Sequence, residues 1–150
     1  MPEKSTLKRA RKAKRQGKSA STQAGEFIRE EIHHIRRGSH GARSTEQAIA
    51  IGLSKARRAG VKLRAPRSGA VSAETREQIR RDERIAHEGS AHQISPGRSR
   101  GAHRKLEHEG KAAASHAALS AHARKVARRR GPAQRRASSL KAARTRARTH

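Results

Sequence analysis

Residues 44–60, STEQAIAIGLSKARRAG, carry a full set of helix signals in a chain whose other segments are mostly charge. Ser44 stands as an N-cap with Gln47 at the third helical position, a capping-box pattern that satisfies otherwise unpaired backbone N–H groups. Ile49, Leu53 and Ala56 form an apolar stripe at helical spacing, flanked by Ala48, Gly52 and Ala59. Lys55, Arg57 and Arg58 load the last turns, where cations suit the helix dipole, and Gly60 sits where a left-handed stop belongs. Such a helix must bury its stripe, which requires a second segment with a matching face.

Thr22 to Gly38, TQAGEFIREEIHHIRRG, supplies one. Ala24, Ile28, Ile32 and Ile35 share a helical face with Phe27 at its edge. Glu26, Glu30 and Glu31 lie toward the N-terminus and Arg36 and Arg37 in the last turn, the order the dipole favours. With GSHGAR as the loop, residues 22–63 read as an αα-hairpin. Its expected core is Phe27, Ile28, Ile32, Ile35, Ile49, Leu53 and Ala56, with Gly52 and Ala56 allowing close approach and Val61 and Leu63 folding back onto the helix end. A unit of about 40 residues is near the lower limit of independent stability, so homodimerisation through the core, or completion by a third segment, is expected. Ile51 falls opposite Ile49 and Leu53, among Gln47, Ser54, Lys55 and Arg58. That position suits a partly exposed isoleucine, a dimer contact or a contact to a thymine methyl.

The remaining segments add little to a core. Lys and Arg number 38 against 12 acids, for a formal charge of +26, and only 31% of residues are apolar, many of them alanine. Chains of this composition bury too little surface to offset ordering entropy over their whole length. Residues 1–21 are therefore expected to form a disordered basic arm, and 64–71 a linker. Residues 72–89 read as a charged helix over 73–88, with Ser72 as cap, Gly89 as stop, and only Ile79, Ile85 and Ala86 apolar. Residues 90–110 read as a linker, and 111–150 as a disordered basic arm, partly helical over 111–130 with Gly131-Pro132 ending the helix. The expected class is mainly α.

A dense polycation binds polyanions by releasing their condensed counterions. The candidate nucleic-acid contacts are Lys8, Arg9, Arg11, Lys12, Lys14 and Arg15 in the first arm, and Lys55, Arg57 and Arg58 at the end of the hairpin. In the tail they are Arg124, Lys125, Arg128, Arg129, Arg130, Arg135, Arg136, Arg144, Arg146 and Arg148. Phe27 is the sole aromatic of the Phe, Trp and Tyr set, so single-strand modules that stack bases on aromatic rings are disfavoured. The basic segments carry alanine where a membrane-surface helix carries Leu, Phe or Trp, so no membrane partner is expected. Duplex DNA gripped through its phosphates is the expected partner. RNA or the ribosome is the alternative, and a protein-interaction adaptor for plasmid maintenance the third reading. A helix-turn-helix would point Gln47, Ser54, Lys55 and Arg58 outward, but the loop exceeds the usual turn of about 3–4 residues.

The chain has ten histidines and no cysteine. His33 and His34 are adjacent and point apart on a helix, and His103, His108, His116 and His122 share no i,i+4 spacing, so neither a metal nor another cofactor is expected. No P-loop, GxSxG or HExxH occurs, and the chain reads as a non-enzyme. No long apolar run marks a signal or a membrane span, and the expected location is the cytoplasmic nucleoid.

The block from Thr22 to Leu63, and Gln47 to Gly60 within it, resembles a family of small basic bacterial proteins of unknown function. They share a core like QAIAIGLSKARRAG between Lys/Arg/Ala-rich flanks, and are often described as DNA-binding or plasmid-stabilisation proteins. That resemblance implies a bacterial origin and DNA binding, and assigns no catalytic or ligand residues. The two ends are similar in composition to the tails of linker histones and bacterial histone-like proteins. Ser95-Pro96-Gly97-Arg98 resembles their Ser-Pro-basic-basic repeats but departs from them at Gly97.

Overall fold

The computed structural model describes residues 2–66, 69–88 and 96–147, the side chains of residues 96, 98 and 99 excepted. Among these the chain is mainly helical: α1 (Lys4–Arg15), α2 (Ala20–Arg37), α3 (Thr45–Arg58), α4 (Ala73–Glu88), α5 (Pro96–Glu107), a 3₁₀ turn at Ala112–Ala114, and α6 (His116–Ala147). It divides into two compact units, residues 1–114 and 115–150.

In the first unit α2 and α3 form the centre. Ser19 caps α2 by accepting from the Thr22 N–H at 3.3 Å, and Gly38 ends it in the left-handed region at φ 85°. Ser44 caps α3 by accepting from the Gln47 N–H at 3.1 Å, while Gln47 Oε1 accepts from the Arg43 N–H at 2.7 Å. A Cβ on Gly52 would lie 2.7 Å from Ile28 Cα, so the two backbones meet where only glycine fits. The line of contact therefore runs through Ala48, Gly52 and Ala56, all buried. This corrects the expected stripe: Ile49 and Leu53 stand one position round the helix and are only half-buried. Phe27, Ile32 and Ile35 are buried as expected, and Ile28 is half-buried.

The N-terminal segment departs from the expected disorder. Lys4–Arg15 is a helix that buries Thr6, Ala10 and Ala13, three small residues at i, i+4 and i+7 that let a heavily charged segment lie close against α2. Ala10 joins Ala24, Phe27, Ala56 and Val61 in one cluster, with Leu7, Ala20, Leu53 and Leu63 packed against it. Full burial of a Phe or Ile side chain contributes about 1.5–3 kcal/mol, and few residues here supply it. α1 has no capping side chain of its own; Glu30 Oε2 accepts from the Glu3 N–H at 3.1 Å.

On the other side α4 docks on α3 through Asp82, which is 2% exposed. Asp82 accepts from Ser54 Oγ, from Gln78 Nε2 at 3.0 Å, and faces Arg58 Nε at 3.6 Å. Ile51 lies one turn before Ser54 on this same face and is half-buried.

Residues 96–107, expected as linker, form α5, and its last turn with the stretch after it crosses the α2–α3 loop as a strap. The Gly41 N–H donates to the Leu106 carbonyl at 2.8 Å and the Ala42 N–H to that of Gly110 at 3.1 Å. Thr45 Oγ1 donates to the Ala113 carbonyl at 2.7 Å and Arg36 Nε to that of Ala114 at 2.8 Å. A Cβ on Gly41 would collide with the Glu109 carbonyl.

The second unit is α6. Ser115 Oγ accepts from the Ala118 N–H at 3.2 Å, so the tail helix begins at a side-chain cap. Gly131, at φ 71° and ψ 168°, breaks it into two helical stretches with Pro132 opening the second. The helix expected to end at Gly131-Pro132 is interrupted there but resumes to Ala147, in place of the expected disorder: Pro132 suits the first turn of a helix, and alanine-rich sequence carries it on. The Gly89 stop and Ser95 of the Ser-Pro run lie outside the described residues.

Candidate nucleic-acid interface

The electrostatic layout follows from where the acids go. Glu30, Glu31 and Asp82 are buried. Glu26 Oε2 holds Arg9 Nε at 2.7 Å, and Lys55 Nζ lies 2.6 Å from Glu31 Oε2 and 3.6 Å from Glu30 Oε1. Glu3 Oε1 accepts from His34 Nε2 at 3.0 Å, and that hydrogen bond holds the Glu3 carboxyl below its ordinary value of 4.5, assisted by Ser5 and Arg37. Much of the negative charge is thus turned inward or neutralised, and the excess cations face water.

Two cationic surfaces result in the first unit. Because Thr6, Ala10 and Ala13 face inward, the opposite side of α1 presents Lys4, Lys8, Arg11, Lys12 and Arg15, all exposed. None of the five forms an ion pair among the described residues. The row spans about 16 Å at 1.5 Å per residue. The second surface is an open groove of about 750 Å³ between the end of α3 and α4. Arg57, Lys62, Arg80, Arg84 and His87 line it, with Glu83 as its one acid. Arg57 is 8% exposed and its Nε has no hydrogen-bond partner.

The expected contact residues separate accordingly. Lys8, Arg11, Lys12, Lys14 and Arg15 are exposed on α1, while Arg9 is held by Glu26 and Thr6. Lys55 and Arg58 serve the fold through Glu31 and Asp82, and Arg57 lines the groove. The residues a recognition helix would use, Gln47, Ser54, Lys55 and Arg58, all have partners inside the protein. Arg124, Lys125, Arg128, Arg129, Arg130, Arg135, Arg136, Arg144 and Arg146 are exposed along α6. Residues 115–147 hold ten Lys and Arg and no acid. Arg148 lies outside the described residues. Sequence reasoning missed Arg80 and Arg84, because the mixed charges of 72–89 suggested internal pairing, of which Arg81–Glu77 at 3.5 Å is an instance; it missed Lys62 because only the docking of α4 makes a groove there.

Glu31, His34 and His40 stand close enough to share an ion, with ligand atoms within 4.8 Å of one another. Spacing along the chain set His34 only against His33. Glu31 and His34, at i,i+3 on α2, were the legible part; His40 joins them because the chain reverses at Gly38.

Comparison with protein-family models, with curated proteins and with solved structures found no match to this chain.

Proposed function

We propose that this protein binds duplex DNA through its phosphates with little sequence preference, as a nucleoid-associated or DNA-condensing protein of the bacterial cytoplasm. One observation carries the reading: a row of exposed, unpaired cations on α1, held against α2, whose three acids are buried or paired. A preformed row loses less conformational entropy on binding than a coil does, so its charge is available for phosphate contact. The α3–α4 groove and the cations of α6 add contacts of the same kind. Phosphate contacts position a protein without reading bases. No described helix is long and apolar enough to cross a membrane.

The test is a competition titration on a short labelled duplex with random-sequence DNA, structured RNA and anionic vesicles as competitors, over a range of salt. Random DNA is expected to compete best. With Lys4, Lys8, Arg11, Lys12 and Arg15 all changed to Gln, the slope of log K against log salt should flatten by up to about 4.5, at about 0.9 for each phosphate no longer neutralised. Circular dichroism checks that α1 persists. An unchanged slope removes α1 from the interface, and stronger competition by RNA replaces DNA with RNA as the partner.

A further inference from the structure

We propose that Glu31, His34 and His40 form a binding site for a first-row divalent transition ion, with Zn²⁺ as the working example. Glu31 is fully buried, and its two carboxylate oxygens are met by the ion pairs with Lys55 and His40 alone. Lys55 Nζ holds Oε2 at 2.6 Å, which turns Oε1 toward His40 Nε2 at 3.2 Å. His40 Nδ1 lies 3.0 Å from the Gly41 carbonyl. A carbonyl only accepts, so Nδ1 carries the proton, and in the neutral ring the Nε2 lone pair faces a carboxylate oxygen. Two lone pairs at that distance repel unless a cation lies between them. His34 Nε2 is oriented by Glu3 at 3.0 Å. Each ring thus has one nitrogen engaged by a carbonyl or carboxylate, the outer arrangement usual for metal-bound histidine.

The spacing and the charge agree with this assignment. Metal–ligand bonds of about 2.0–2.1 Å place tetrahedral donors about 3.3 Å apart, and the Glu31–His40 pair is already at 3.2 Å. One ring nitrogen from each histidine and a Glu31 oxygen lie within 4.8 Å, a span that small side-chain rotations close. Glu3, Glu30 and Glu31 outnumber Lys55 and Arg37 around the site, so its net charge is negative and favours a bound cation. Two imidazoles and one carboxylate suit Zn²⁺, Co²⁺ or Ni²⁺ rather than Mg²⁺ or Ca²⁺. The site is also braced: the Gly41 N–H bonds to the Leu106 carbonyl, so the His40 backbone is fixed by the strap.

The test is calorimetric titration of the nucleic-acid-free full chain with Zn²⁺, alongside Co²⁺ titration followed by visible absorption. One saturable equivalent is expected, with a Co²⁺ spectrum of low-coordinate type. His40→Gln and His34→Gln should each weaken binding at least tenfold with helix content retained, whereas His116→Gln/His122→Gln should leave it unchanged. The absence of a saturable equivalent in the wild-type chain overturns the proposal, as does equal binding by His34→Gln/His40→Gln.

Discussion

At the scale of single residues, two glycines on facing helices make opposite predictions. Gly52→Ala gains helix propensity of about 1 kcal/mol, but its Cβ would sit 2.7 Å from backbone of Ile28. Backbone cannot move aside as a side-chain tip does, and overpacking of this kind costs about 1–3 kcal/mol. The melting midpoint of Gly52→Ala should therefore fall. Gly25→Ala, with nothing within 4 Å of its Cβ, should raise it by the propensity gain alone, and thermal melts of the two variants check the pair. The close approach at Gly52 was legible in the sequence, but its consequence for Ile49 and Leu53 was not. Periodicity marks a broad apolar face, and the glycine contact decides which line of that face is innermost. The pairing of Lys55 with Glu31 was illegible for a related reason: a cation in a last turn suits the helix dipole equally well in solvent or beside an acid, and only the partner helix distinguishes the two.

Among the elements, those with caps and bulky apolar residues were legible and those without were not. α2 and α3 have both. α1 buries only Thr6, Ala10 and Ala13, and small residues at helical spacing scarcely register against seven Lys and Arg within 4–15. α5 contains Gly97 and Gly101, each unfavourable in a helix, and so resembled a linker. The docking of α4 rests on Asp82, which Ser54, Gln78 and Arg58 surround. Asp82→Ala leaves those donors without their acceptor, at a cost of about 1–3 kcal/mol. Hydrogen exchange should show amides of 73–88 losing protection well before those of α2. Uniform loss across both helices would mean that α4 and the hairpin unfold as one unit.

Over the whole molecule, the inward acids and outward cations set the response to salt. Exposed cations repel one another through water, and salt screens that repulsion over a Debye length of about 8 Å at physiological strength. The pairs Lys55–Glu31 and Arg58–Asp82 involve carboxylates only 1% and 3% exposed, and buried pairs are screened much less. The first effect outweighs the second, so the melting midpoint should rise as NaCl is added, opposite to the weakening of DNA binding over the same range. A midpoint that fell would mean ion pairs contribute more than repulsion removes.

The strap has a consequence for the order in which the protein takes shape. Its bonds join Thr45 to Ala113 and Arg36 to Ala114 across 68 and 78 positions of chain. Closing so long a span is entropically slower than pairing neighbouring helices, and synthesis delivers α1, α2 and α3 while residues 106–114 are still unmade. The turn bearing His40 is therefore the last piece of the first unit to settle, and its final shape exists only in chains completed at least as far as Ala114.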